Sequence, residues 1–230
     1  MRIQGLQKLT LLDYPGKVAC TVFTAGCNFR CPFCHNASLV MGESQEPAIT
    51  EEAFFSFLKK RQGILDGVCV TGGEPLLQKE IELFLRKIKE LGYLVKLDTN
   101  GSFPKRLRQL VEAGLVDYVA MDVKNSKKKY AQTCGAEQME LSDVEESIAF
   151  LMQGTVPYEF RTTVTWNFHE LDDFIQIGQW IAGAERYFLQ AFVDSGDLIE
   201  GGIQGYEKEE LETFLAVIRQ TVPNAEIRGI

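Results

Sequence analysis

GVCVTGGEPLLQKEIELFLRKIKELGYLVKLDTNG, residues 67–101, reads as a strand, a glycine turn, a helix and a second strand. The first run, Val68 to Thr71, is short, apolar and rich in β-branched residues, and it stops at a glycine pair. QKEIELFLRKIKEL then carries apolar residues at helical spacing, and YLVKLDTNG returns to a strand pattern. A strand, a crossover helix and a strand make a parallel β/α unit.

The same alternation continues in both directions. Upstream lies the strand run VACTVFT (18–24), then a helix TEEAFFSFLKKR that starts at Thr50 with acidic residues in its first turn. Downstream, helix PKRLRQLVEAG, strand LVDYVAMDVK, helix LSDVEESIAFLMQG, strand YEFRTTVTW, helix HELDDFIQIGQWIAG, strand RYFLQAF and helix KEELETFLAVIRQ follow in turn, and AEIRGI closes the chain. About six β/α units fit, fewer than the eight of a closed barrel, so the fold class expected is α/β, an open, partial β/α barrel.

Composition sets outer bounds. The chain has 230 residues, 45% of them hydrophobic, and a net charge of −8. That suits one domain over residues 1–230 with a real core, and it argues against wrapping nucleic acid. MRIQGLQKLTLLDYPG alternates polar and apolar residues without the apolar centre of a signal peptide. No window approaches the roughly 18 apolar residues of a membrane span. A cytoplasmic protein with no membrane partner is expected, and there six cysteines point to metal or redox chemistry rather than disulfides.

In parallel β/α folds ligands collect at the carboxyl ends of the strands. Polar residues stand at four consecutive ends: GCNFRC after the first, GGEP after the second, DTNG after the third, DVK after the fourth. One shared site is expected. GCNFRCPFCHN (26–36) places Cys27, Cys31 and Cys34 on one loop, spaced C-x3-C-x2-C. Such a loop can wrap three corners of an iron–sulfur cube, which normally takes four thiolates, leaving one position open. Zinc is the competing reading, although shared ligation of one ion by the adjacent Cys34 and His35 is awkward.

C-x3-C-x2-C with an aromatic, Phe33, before the third cysteine resembles the signature of the radical S-adenosylmethionine (SAM) superfamily. The resemblance implies that Cys27, Cys31 and Cys34 hold a [4Fe–4S] cluster whose fourth iron is chelated by SAM. It also implies reductive cleavage of SAM to methionine and a 5′-deoxyadenosyl radical. Gly72, Gly73 and Glu74 are similar to that superfamily's GGE motif at the methionine amino group, and the glycines would allow close backbone approach there. Asp98 and Asn100 of DTNG, and Asp122, Val123 and Lys124 of DVK, are similar to SAM contacts of glycyl radical enzyme activating enzymes. Alternation along a strand places Asp122 and Lys124 on one face, where the first can bond ribose hydroxyls and the second can neutralise the methionine carboxylate. Phe33, Cys34 and His35 should lie along the adenine, with His35 structuring the loop rather than acting as a base. Some relatives carry a ribose-binding histidine in the last of these strands; RYFLQAFVDSG has none, and Gln190 is the candidate replacement. Arg161 and Thr163 share one face of FRTTV, and His169 falls near a helix start.

Cys20 and Cys69 sit in apolar strand patterns and read as core. Cys134, in YAQTCGAEQ, reads as an exposed loop residue, and no second cysteine set supports an auxiliary cluster.

LLDYPGKVACTVFTAGCN, together with C-H-N after the third cysteine, resembles anaerobic ribonucleoside-triphosphate reductase activating proteins. That resemblance implies a protein substrate, a glycyl radical enzyme, and a flavodoxin or ferredoxin as electron donor. The alternatives are an activator of a pyruvate formate-lyase-like enzyme, or a small-molecule enzyme such as 7-carboxy-7-deazaguanine synthase.

Overall fold

The computed structural model describes residues 1–42 and 47–230. Its centre is one eight-stranded sheet in sequential order: β1 (Ile3–Thr10), β2 (Ala19–Thr24), β3 (Gly67–Gly72), β4 (Leu94–Thr99), β5 (Tyr118–Asp122), β6 (Tyr158–Val164), β7 (Tyr187–Ala191) and β8 (Ala225–Arg228). β1 is antiparallel to β2, and every later strand is parallel to the one before it. Among the described residues no pairing joins β8 to β1, so the barrel stays open. The expected α/β class and open barrel hold. Both terminal strands go beyond the sequence reading: the alternating N-terminal segment is a strand, and so is the AEIR segment near the C-terminus.

Helices fill the connections: α1 (Ala37–Met41), α2 (Glu51–Lys59), α3 (Ile81–Glu90), α4 (Pro104–Glu112), α5 (Tyr130–Cys134), α6 (Leu141–Leu151), α7 (Leu171–Trp180) and α8 (Lys208–Ile218). α2 begins where Thr50 accepts the Ala53 N–H at 3.2 Å, with Glu51 and Glu52 beside the positive end of the helix dipole. α3 buries Ile81, Phe84, Leu85 and Ile88, one stripe at helical spacing. α7 is held by a reciprocal capping box between Glu170 and Asp173.

The central strands are covered on their outer face by these helices, so they read as apolar runs. Val68 and Val70 of β3 and Val119 and Met121 of β5 are fully buried in the main core. The inner face is different. The period of two puts Lys96 and Asp98 of β4, Asp122 of β5, and Glu159, Arg161 and Thr163 of β6 toward the barrel interior, where charges pair with charges. Near the start of β6, Arg228 of β8 makes two bonds of 2.8 and 3.0 Å to the buried Glu159, which also accepts the Tyr118 hydroxyl at 2.9 Å. The other end opens into a cavity.

Candidate active site

The cysteine loop follows β2 and is tied down at several points. Gly26 N–H donates to the Leu39 carbonyl at 3.0 Å, and Cys34 N–H donates to the Cys31 carbonyl at 2.9 Å. The Arg30 guanidinium donates to the carbonyls of Cys27 and Phe29 at 2.6 and 2.8 Å. Phe29 and Phe33 are buried in the core and pin the loop between the cysteines. All three thiols are free and line one cavity of about 210 Å³.

That cavity gathers the strand ends. It is lined by Cys27, Cys31, Phe33, Cys34 and His35 from the loop, Gly72 and Gly73 from β3, and Asp98 and Asn100 from β4. Asp122 and Lys124, Arg161 and Thr163, and Gln190 complete it from β5, β6 and β7. Of the residues singled out in the sequence, Glu74 and Val123 do not line it.

Glu74 stands just outside that lining. Its carboxylate is fully buried and accepts from Leu76 N–H at 2.9 Å, from the Thr99 hydroxyl at 2.9 Å and from Asn100 N–H at 2.7 Å. Those three donors join the end of β3 to the end of β4 through its side chain. Burial pushes this carboxyl up to about 7 against the pull of the three donors. Val123 also stands outside the lining. Its side chain is buried, its N–H donates to the Arg161 carbonyl at 2.8 Å, and its carbonyl accepts the Thr162 hydroxyl at 2.5 Å. It belongs to the sheet.

The glycine pair also has a more specific reason than ligand approach. A Cβ on Gly72, whose φ is +121°, would lie 2.3 Å from the Thr24 nitrogen, and one on Gly73 would lie 1.9 Å from the Gly26 carbonyl oxygen. The two glycines let β3 close onto the start of the cysteine loop, where Gly73 and Glu74 N–H groups donate to Thr24 and Gly26 carbonyls at 2.9 and 2.8 Å.

Asn100 reaches the same loop from β4. Its amide donates to Asn28 Oδ1 at 2.9 Å and lies 3.8 Å from Cys27 Sγ. His35 stacks on Phe192 with centroids 5.2 Å apart, consistent with a structural part in the loop. Lys124 Nζ lies 2.8 Å from Asp122 Oδ2, and Arg161 bonds both Asp98 and Asp122. Burial alone would raise the Asp122 carboxyl, but Lys124 and Arg161 more than reverse it and hold it at about 2.

Cys134 lies where the sequence did not show it, and His169, just before α7 as expected, has partners the sequence did not show. Cys134 is fully buried in α5, not exposed in a loop. Its carbonyl accepts Arg30 N–H at 2.8 Å, and Gly135 closes the helix so tightly that a Cβ there would sit 2.3 Å from the Arg30 oxygen. His169 is fully buried: its Nδ1 accepts Thr165 N–H at 3.2 Å, and its Nε2 donates to the Lys124 carbonyl at 2.8 Å. It fixes the backbone of the D-x-K segment. A one-turn helix and a single histidine leave no periodic signal. Cys20 and Cys69 are core residues, as expected.

Among the described residues no three His, Cys, Asp or Glu side chains are grouped closely enough to hold one metal ion. A cube takes each thiolate on a separate iron, and three thiols around one hollow fit it. Burial pushes the Cys27 thiol up to about 12 and also raises Cys34. A hydrogen bond from the Cys134 thiol and the charge of Lys124 outweigh burial and lower Cys31. Loading a cluster therefore releases protons, most of all from Cys27 and Cys34.

The chain is similar to known proteins along its whole length. The profile of the radical SAM superfamily matches residues 21–181. A Methanocaldococcus jannaschii protein, provisionally named a glycyl-radical enzyme activating enzyme, is 30% identical over 99% of this chain and 96% of its own length. A 7-carboxy-7-deazaguanine synthase of Thermococcus kodakarensis is 32% identical over 46% of this chain and 48% of its own. In fold, Streptococcus suis SuiB bound to the precursor peptide SuiA matches 91% of this chain and 48% of that one, with a TM-score of 0.71 at 14% identity. Against the last two, this chain spans about half the relative's length. Among the described residues no helix is long and apolar enough to cross a membrane. With the profile match over most of the barrel and the three-cysteine loop at its open end, the chain belongs to the radical SAM superfamily, enzymes whose generic cofactors are SAM and a [4Fe–4S] cluster.

Proposed function

We propose that this chain activates a glycyl radical enzyme, with residues 1–230 acting as one radical SAM domain in the cytoplasm. The observation that carries the reading is the end-to-end likeness to the M. jannaschii protein with an activating-enzyme name. The resemblance of LLDYPGKVACTVFTAGCN to reductase activators selects anaerobic ribonucleoside-triphosphate reductase as the partner, over a pyruvate formate-lyase-like enzyme.

In this reading Cys27, Cys31 and Cys34 hold the cluster. When bound, the cluster supplies the electron that splits SAM into methionine and a 5′-deoxyadenosyl radical, which takes a hydrogen atom from a glycine Cα of the partner. Lys124 meets the methionine carboxylate and Asp122 the ribose hydroxyls. Asp98, Asn100, Gln190 and the backbone of Gly72 and Gly73 line the rest of the ligand, while Phe33, Cys34 and His35 run along the adenine. Glu74 and Val123 act through the backbone they hold. The electron donor is a flavodoxin or ferredoxin.

The likeness to 7-carboxy-7-deazaguanine synthase supports a second reading, in which the substrate is a small molecule.

The test is paramagnetic resonance on the reconstituted protein, mixed anaerobically with SAM, reductant and the reductase from the same genome. A glycyl radical signal on the partner is expected. SAM cleavage with no radical on any glycyl radical enzyme of that genome favours the small-molecule reading.

A further inference from the structure

The interior wall of the cavity carries five charges in an alternating row, four of them in its lining. Lys96 pairs with Asp98, Asp98 with Arg161, Arg161 with Asp122, and Asp122 with Lys124. Arg161 is the only member bonded to two carboxylates on two different strands: Nη1 lies 3.1 Å from Asp98 Oδ2 of β4, and Nε and Nη2 each lie 3.0 Å from Asp122 Oδ1 of β5. Its side chain is 13% exposed, and the two acids are 14% and 27% exposed. The other groups facing them include Cys69 of β3, whose thiol lies 3.7 Å from Asp98 Oδ1, Cys31 of the cysteine loop, Glu74, and Glu159 of β6, which faces Arg161 and is itself paired with Arg228.

Two carboxylates on adjacent strands repel each other unless a cation sits between them. The planar fork of a guanidinium can satisfy both at once and fix their orientations, which an ammonium at a single point cannot. We propose that Arg161 is a positioning residue that sets Asp98 and Asp122 as one aligned pair, and that SAM affinity depends on that alignment. With three cations against two carboxylates the row carries a net charge of +1, which favours a ligand with a free carboxylate. The inference rests on the cavity being the SAM site.

The test is calorimetric titration of SAM into the reconstituted protein, comparing wild type with R161M, R161K, D98N and the D98N/R161M double variant. R161M should bind about tenfold more weakly or worse, and R161K should fall between it and wild type. The double variant should lose less than the product of the two single losses, because Arg161 acts through Asp98. Iron–sulfur absorption should remain, showing that the cysteine loop is intact. If R161M does not fold, R161K and D98N with the D98N/R161K double variant carry the same cycle. Wild-type affinity in R161K and R161M, within about twofold, or fully additive losses overturn the positioning role. If wild type itself binds no SAM, the cavity reading falls and this inference with it. Binding by wild type with unaffected variants removes Arg161 alone.

Discussion

Glu74 shows how a residue can sit in a ligand motif and serve the fold. Its carboxylate receives two backbone N–H groups and one hydroxyl in a fully buried place. Glu74→Gln keeps the shape but turns one acceptor into an amide donor that faces another donor. An unsatisfied buried group of this kind costs about 1–3 kcal/mol. The variant should lose that much in urea unfolding while keeping most SAM affinity; an unchanged midpoint would show that the three donors contribute nothing. Cys31, Asp122 and Lys124 were legible in the sequence because their chemistry is local to a strand end. Cys134 was not, because its place in the main core comes from contacts distant in sequence.

At the scale of elements, the site depends on how β3 meets the cysteine loop. The strand-turn-helix pattern of residues 67–101 was readable from periodicity, and so was the placement of four polar motifs at one end of the sheet. The contact between Gly73 and Gly26 was not, because a glycine pair reads equally as room for a ligand or for another backbone. With 1.9 Å between a hypothetical Cβ and the Gly26 oxygen, Gly73→Ala must push the loop away from β3. It should lower the melting temperature and the iron content of the reconstituted protein together. Full iron incorporation at wild-type stability would contradict the packing described. β1 escaped the reading because its pairing with β2 depends on the turn that brings Lys17 N–H to the Tyr14 carbonyl.

The whole molecule should be acid-labile through its interior charges. Burial opposes ionisation of Asp98, Asp122 and Asp173, yet their cationic partners hold all three below the ordinary carboxylate range. Depressed carboxyl values add stability that is full above about pH 4 and is lost as the pH falls, for Asp122 through about 2. His169 acts in the same sense from a higher pH, since burial lowers its imidazole and protonation below about 6.5 favours the unfolded chain. Glu74, raised to about 7, runs the other way, and its effect is complete between about pH 7 and about pH 4.5, above the window of the aspartates. The melting temperature of the cluster-free protein should fall between about pH 4 and about pH 2; a flat or rising profile across that window would refute the charge network. Across the molecule, the open barrel and the place of the site could be read from the strand–helix rhythm. The charged interior could not be read in full, because Arg161 meets Asp98 and Asp122 only once the strands lie side by side. The most direct measurement is 5′-deoxyadenosine release from the anaerobically reconstituted protein with SAM and a strong reductant. Product from wild type and none from Cys31→Ala is the predicted result; a well-folded wild type that takes up no iron and forms no 5′-deoxyadenosine would contradict it.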